Sequence, residues 1–183
     1  MEANREVLIL VDADVIIHLY KADKISLLND LYPGRICMLD LVLEELRNNK
    51  TVRNFIENLF ILKQAKEIKF PTSSNQETLT EYLMLRKTAK GKGESACLAY
   101  CKHYKSIIAS SNTTDIRNYC EVNSIAYLTT LDLFAVALKR GKLTEVEIDI
   151  LIGKITRNNE SYLCCRKISD HLKFHFKSEK LLY

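Results

Sequence analysis

Apolar residues in this chain come in short dense runs separated by helix-length stretches of mixed character. Val7 to Val11 is an unbroken apolar run rich in β-formers, the pattern of a strand buried on both faces of a parallel sheet. A helix-compatible stretch, Ala22 to Leu31, follows and stops before Pro33-Gly34, and Ile36 to Leu39 reads as a short strand. Leu39, Val42, Leu43 and Leu46 then fall at i, i+3, i+4 and i+7, one face of a helix. Val52 to Ala65 continues as helix, Ile68 to Phe70 as a strand ended by Pro71, and Glu77 to Ala89 as helix after a polar loop. Past the Gly91-Lys92-Gly93 break the rhythm is plainer. Helix (Glu94 to Tyr104), strand (Ser106 to Ala109), helix (Thr113 to Glu121), strand (Ser124 to Leu128) and two helices (Leu131 to Lys139, Glu145 to Ile155) succeed one another. Such alternation predicts right-handed crossovers and a mostly parallel sheet of about four to five strands between helical layers, an α/β fold. Residues 1–155 form the expected domain. The stretch 156–183 is a basic extension in which Ile168, Leu172 and Phe176 keep helical spacing.

Composition narrows the picture. With 183 residues, 47% hydrophobic and 27% charged, the chain is of single-domain size with ample material for a core. No apolar stretch approaches the roughly 20 residues of a membrane helix. Met1 to Glu6 carries two glutamates rather than the start of a secretory leader, so a cytoplasmic protein with no membrane partner is expected. A net charge of +4 permits contact with a polyanion without demanding it. The six cysteines form no CxxC pair and read as reduced thiols. Cys164 or Cys165 with His171 and His175, one helical turn apart, could make a zinc site, but without the usual pair spacing. None of the four histidines has an evident partner in the sequence.

In an open α/β sheet ligands bind at the carboxyl ends of the strands, so the acids that fall there carry the interest. Asp12 interrupts an apolar sequence, and a carboxylate beside a core strand must be paired, hydrogen-bonded or metal-bound. It is either such a group or the cap of the next helix. Glu94 completes an apolar stripe with Cys97, Leu98 and Cys101, which places it at the N-terminal end of a buried helix face, where the helix dipole favours an anion. Glu44 and Glu45 flank the stripe of their helix, where a surface pair is the common outcome. Asp115 behind Asn112, and Asp132 behind Thr129, have the spacing of a capping box. Converging carboxylates of this kind supply the hard oxygen ligands that Mg²⁺ or Mn²⁺ prefers.

Together these residues resemble the PIN domain family over roughly Val7 to Ile155. The run Leu8 to Ile17, with Asp12-Ala13-Asp14 at its centre, is similar to the family's first acidic motif, a strand ending in Asp-x-Asn/Ser. Val42-Leu43-Glu44-Glu45-Leu46 resembles its V-x-x-E-L helix, which selects Glu45 over Glu44. Gly91-Lys92-Gly93-Glu94-Ser95-Ala96-Cys97-Leu98-Ala99 resembles the G-x-x-E-x-x-x-L-A motif with the third acid. The fourth motif departs: where aspartates are usual, the chain has Ser111-Asn112-Thr113, ahead of Arg117. Asn112 offers a carbonyl oxygen without charge, while Asp115 from the next turn or Asp14 could restore it. The resemblance implies a three-layer α/β/α fold and one Mg²⁺ or Mn²⁺ held by Asp12, Glu45 and Glu94. It implies endonucleolytic hydrolysis of single-stranded RNA leaving a 5′ phosphate. Many compact members are toxins of toxin–antitoxin pairs and act as homodimers, which brings an antitoxin-like protein and a second copy into view as partners, although this chain is longer than most of those.

Two other readings compete. One is a PIN-like module that binds RNA or protein without cutting, supported by the neutral Asn112. The other is a haloacid-dehalogenase-type phosphatase, since Asp12-Ala13-Asp14-Val15 fits D-x-D-x-T/V, but no acidic pair follows a strand after Leu128.

Overall fold

The computed structural model describes residues 7–88, 90–157 and 161–182. The start at Met1 to Glu6 and the last residue of the expected Glu77 to Ala89 helix lie outside the described residues. Among those described, five strands, β1 (Ile9–Val11), β2 (Ile36–Leu39), β3 (Lys66–Ile68), β4 (Ile107–Ala109) and β5 (Tyr127–Leu128), form one sheet in the order β3-β2-β1-β4-β5. Every pairing is parallel. Helices lie against the sheet in layers, giving the expected three-layer α/β/α architecture. β1 sits at the centre, and all three of its residues are fully buried, which is why the run is apolar on both faces.

The strand order reverses direction between β1 and β4. From β1 the chain goes outward to β2 and β3, then returns to the other side of β1 for β4 and β5. That junction is the switch point, where the loops leaving two adjacent strands diverge and open a crevice. The residues leaving β1 are Asp12 to Asp14, and those leaving β4 are Ser110 to Asn112.

The helices are α1 (Ala13–Lys21), α2 (Leu27–Leu31), α3 (Asp40–Glu45), α4 (Lys50–Ile61) and α5 (Gln76–Arg86) in the first half. In the second half they are α6 (Lys92–Tyr104), α7 (Thr113–Val122), α8 (Thr130–Lys139), α9 (Glu145–Ile155) and α10 (Ile168–Phe174). α6 packs on β1, β2 and β4 and against α3 and α5, while α10 packs on α8 and α9. No helix among the described residues is long and apolar enough to cross a membrane.

Several boundaries differ from the sequence reading. Of the expected Ala22–Leu31 helix only Leu27–Leu31 is helical, and a longer helix that the sequence did not suggest, Ala13–Lys21, precedes it directly behind Asp12. Asp12 keeps an extended backbone and accepts the Ala13 N–H at 2.9 Å, so helix begins at once; Val15, Ile16, His18 and Leu19 bury one face. Asp23, in the left-handed region (φ 53°), then turns the chain toward α2. The Val52–Ala65 helix ends at Ile61 because Lys63 adopts φ 55°, and this frees Lys66–Ile68 to pair with β2. The expected strand Ile68–Phe70 thus shifts back by two residues, and the Phe70 N–H goes to Asp40 Oδ1 at 3.0 Å. In the tail, Ile168 is fully buried and Leu172 and Phe176 pack against the core. The helix there is only seven residues long.

Candidate metal centre

Each acid singled out by sequence is positioned by a different element. Asp12 ends β1 and caps α1, its N–H donating to Ala109 O of the neighbouring strand at 2.9 Å. Glu94 stands in the first turn of α6 and is buried. Glu45 closes α3 and accepts the Gly93 N–H at 2.7 Å, which ties that helix to the start of α6. A glycine is needed at this contact: a Cβ on residue 93 would lie 2.8 Å from Glu45 Oε2 and 3.0 Å from Val42 Cγ2. Glu44, by contrast, points to Lys92, whose hydrogen bond and charge hold its carboxyl below the usual range. The two neighbouring glutamates thus have different partners, Gly93 for Glu45 and Lys92 for Glu44.

These groups meet electrostatically. Burial pushes the Asp12 carboxyl well above the ordinary carboxylate range, and the charges of Asp14, Glu94 and Glu45 push it further, against the single Ala13 hydrogen bond. Glu94 is raised by burial, with Asp115 and Asp14 adding to the rise; a hydrogen bond from Asn112 and the charge of Lys90 oppose it. Asp14 is raised by burial and partly restored by its donors: Ser111 N–H at 2.7 Å, Val15 N–H at 2.6 Å and Ser110 Oγ at 3.4 Å. Asp14 thus reaches across from α1 to the end of β4, the place where the fourth acidic motif is neutral.

Asn112 and Asp115 do not form the capping box that their spacing suggested, since Asn112 makes no side-chain cap. Its amide Nδ2 instead donates to Glu94 Oε2 at 2.9 Å and to Asp115 Oδ2 at 2.6 Å. The amide presents its nitrogen, not its carbonyl oxygen, to the acids. Asp132 does form a capping box with Thr129, as expected, but it also carries a larger role. It is wholly buried and accepts His171 Nε2 at 2.9 Å and Lys180 Nζ at 2.6 Å. Burial alone would raise its carboxyl, but the His171 bond and the charge and bond of Lys180 hold it below the usual range.

Sequence reasoning missed several participants. Lys90 Nζ lies 3.7 Å from Glu94 Oε1, a cation four residues ahead of the acid that the spacing could have flagged. Three histidines read as partnerless have partners: His171 pairs with Asp132, His18 Nδ1 meets Thr130 Oγ1 at 3.0 Å, and His103 Nδ1 lies 3.7 Å from Glu77 Oε2. Burial, with the charge of Lys21, pushes the His18 ring down to about 4, so it is neutral near pH 7. Beside the acids runs a groove of about 410 Å³ lined by Asp14, His18, Asn112, Thr113 and Tyr162 among others. Tyr162 is 82% exposed on its rim. Nothing in the local sequence announces this groove, because its walls come from four separate stretches.

The donor chemistry of these acids suits a hard divalent cation. The donors are oxygens only, their negative charges repel one another, and the buried Glu94 Oε1 has no hydrogen-bond partner. Asp132, the first acid after β5, is committed to His171 and Lys180, so it cannot serve the phosphatase reading. No curated protein matches the chain. A family model described as a PIN domain matches residues 8–164.

Proposed function

The chain belongs to the PIN domain family, and from that premise we propose that it is a Mg²⁺- or Mn²⁺-dependent endonuclease of single-stranded RNA. Members of the family are generally nucleases. The observation that carries the proposal is the crowding of acids at the switch point, where Asp12 is surrounded by Asp14, Glu94 and Glu45. Asp12, Glu94 and Glu45 would hold the ion, with Asp14 supplying the charge that Asn112 does not. A bound ion of this class lowers the pKa of a water ligand and neutralises charge on the scissile phosphate. The protein's part is to fix the carboxylates before substrate arrives: Gly93 N–H orients Glu45, and Ser111 N–H orients Asp14. Lys90 lies close enough to the acids to meet a phosphate oxygen, and the groove ending at Tyr162 offers a face for an unpaired base.

The test is cleavage of an unstructured RNA in Mn²⁺. Asp12→Asn and Glu94→Gln should each lose roughly 10²–10³-fold in rate, the usual effect of removing one electrostatic participant. Rates within a few-fold of the parent protein would defeat the assignment. A second reading, an RNA- or protein-binding module that does not cut, is favoured by one observation: Asn112 already holds one oxygen of Glu94 and one of Asp115 without a cation. Calorimetry separates the two, because a centre of that kind should take up Mn²⁺ poorly.

A further inference from the structure

A second donor cluster, of different chemistry, lies beside α10. Cys164 and Cys165 precede that helix as free thiols, and His175 caps its C-terminal end. Their ligand atoms, two Sγ and one imidazole nitrogen, all lie within 4.8 Å of one another. The two sulfurs are 3.9 Å apart. That is far from the roughly 2.05 Å of a disulfide. It is close to the edge of a tetrahedron built on zinc–sulfur bonds of about 2.3 Å, which is about 3.8 Å. The other four cysteines are buried. Cys164 and His175 are exposed, so an ion from solution can reach the cluster without opening the core.

Two thiols and an imidazole are the wrong donors for Mg²⁺ or Mn²⁺ and the right ones for Zn²⁺. We propose that Cys164, Cys165 and His175 form a Zn²⁺ site, with the fourth position left to solvent. The site corrects the donor set that spacing alone suggested: His171 is occupied by Asp132, and both cysteines take part. Uptake replaces the thiol protons, so each Zn²⁺ bound by the two cysteines releases two protons to the buffer. The ion clasps both ends of α10 at once, the cysteines before its first turn and the histidine after its last. Cys164 also lines the groove shared by Asp14 and Asn112. Zinc therefore fixes the wall that carries Ser161 to Cys164, whether or not the acidic centre cuts RNA.

The experiment uses the full chain, reduced and stripped with a chelator, titrated with Co²⁺ and then Zn²⁺. One equivalent of Co²⁺ should produce a thiolate-to-metal charge-transfer band and the intense visible bands of tetrahedral cobalt, and Zn²⁺ should abolish both. Cys164→Ser and His175→Ala, both at exposed positions, should weaken binding by about 100-fold or more, since losing even an outer-shell partner costs 10–100-fold. Asp12→Asn should leave the cobalt spectrum unchanged, which separates this site from the acidic centre. A reduced parent protein without the charge-transfer band would overturn the proposal. So would a band that survives intact in both variants.

Discussion

Gly93 shows how a residue without a side chain shapes a site made of side chains. Its missing Cβ lets α3 approach α6 closely enough for Glu45 to accept the Gly93 N–H. In Gly93→Ala the flexible Glu45 can swing aside, but Val42 is fully buried and cannot move freely. Alanine gains up to about 1 kcal/mol in helix propensity. Overpacking usually loses about 1–3 kcal/mol. The expected outcome is a protein no more stable than the parent, with Mn²⁺ affinity reduced because Glu45 is displaced. A higher melting temperature with unchanged Mn²⁺ affinity, measured by calorimetry, would show that the contact does not position the acid. At this scale the sequence is readable where a residue breaks a pattern. Asp12 inside an apolar run and Glu94 inside a helix stripe both stood out. Asn112 did not yield its role, because its two hydrogen bonds go to groups contributed by α6 and by its own next turn.

Elements that begin or end on a specific polar residue hold their place more firmly than periodicity alone suggests. α8 begins at the Thr129–Asp132 capping box, and the same Asp132 receives His171 from α10 and Lys180 from the closing turn Ser178–Leu182. One carboxylate thereby joins three elements. Lys180 and Asp132 keep side-chain exposures of 7% and 0%, so this is a desolvated pair rather than a surface one. Breaking such a pair by removing one partner costs about 3–5 kcal/mol. Lys180→Ala should lose stability on that scale in denaturant unfolding, and more than Lys154→Ala, whose partner Asp23 is 82% exposed. Equal losses would mean that the buried pair has no special weight. The capping box was legible from the Thr-x-x-Asp spacing, while its partners were not: 39 and 48 residues separate them from Asp132. Strands and most helices were readable for the same reason as the box, since they are local, but the helix Ala13–Lys21 behind Asp12 was not. Their ends were misjudged where single residues in left-handed conformation, Asp23 and Lys63, decide them.

For the whole molecule, the acidic centre makes stability depend on pH in a definite direction. Asp12, Asp14 and Glu94 have raised carboxyls in the fold. From the unfolded range of about 4 up to those raised values, the native state holds more protons than the unfolded chain. Stability therefore falls as pH rises through that window. Asp132 has the opposite sign and acts only as pH drops below about 4, while His18 lowers stability as pH falls from about 6.5 toward 4. Comparing Asp12→Asn with the parent cancels both. Without divalent metal the variant should melt higher, and the gap should widen with rising pH. Each kcal/mol is worth roughly 2–4 °C in a chain of this size. Saturating Mn²⁺ should close or reverse the gap, and a metal-free gap that stays flat with pH would remove the electrostatic account of the site. The parallel order β3-β2-β1-β4-β5 also carries a kinetic meaning. Asp12 can be seated against Ala109 only after a loop of almost a hundred residues has closed, and closure over such distances is slow and comes with global folding. A chain cut short before β4 would contain Asp12, Glu45 and Glu94 and still lack the strand against which Asp12 is seated. Ordering of Asp12 is thereby deferred until the second half of the sheet has formed.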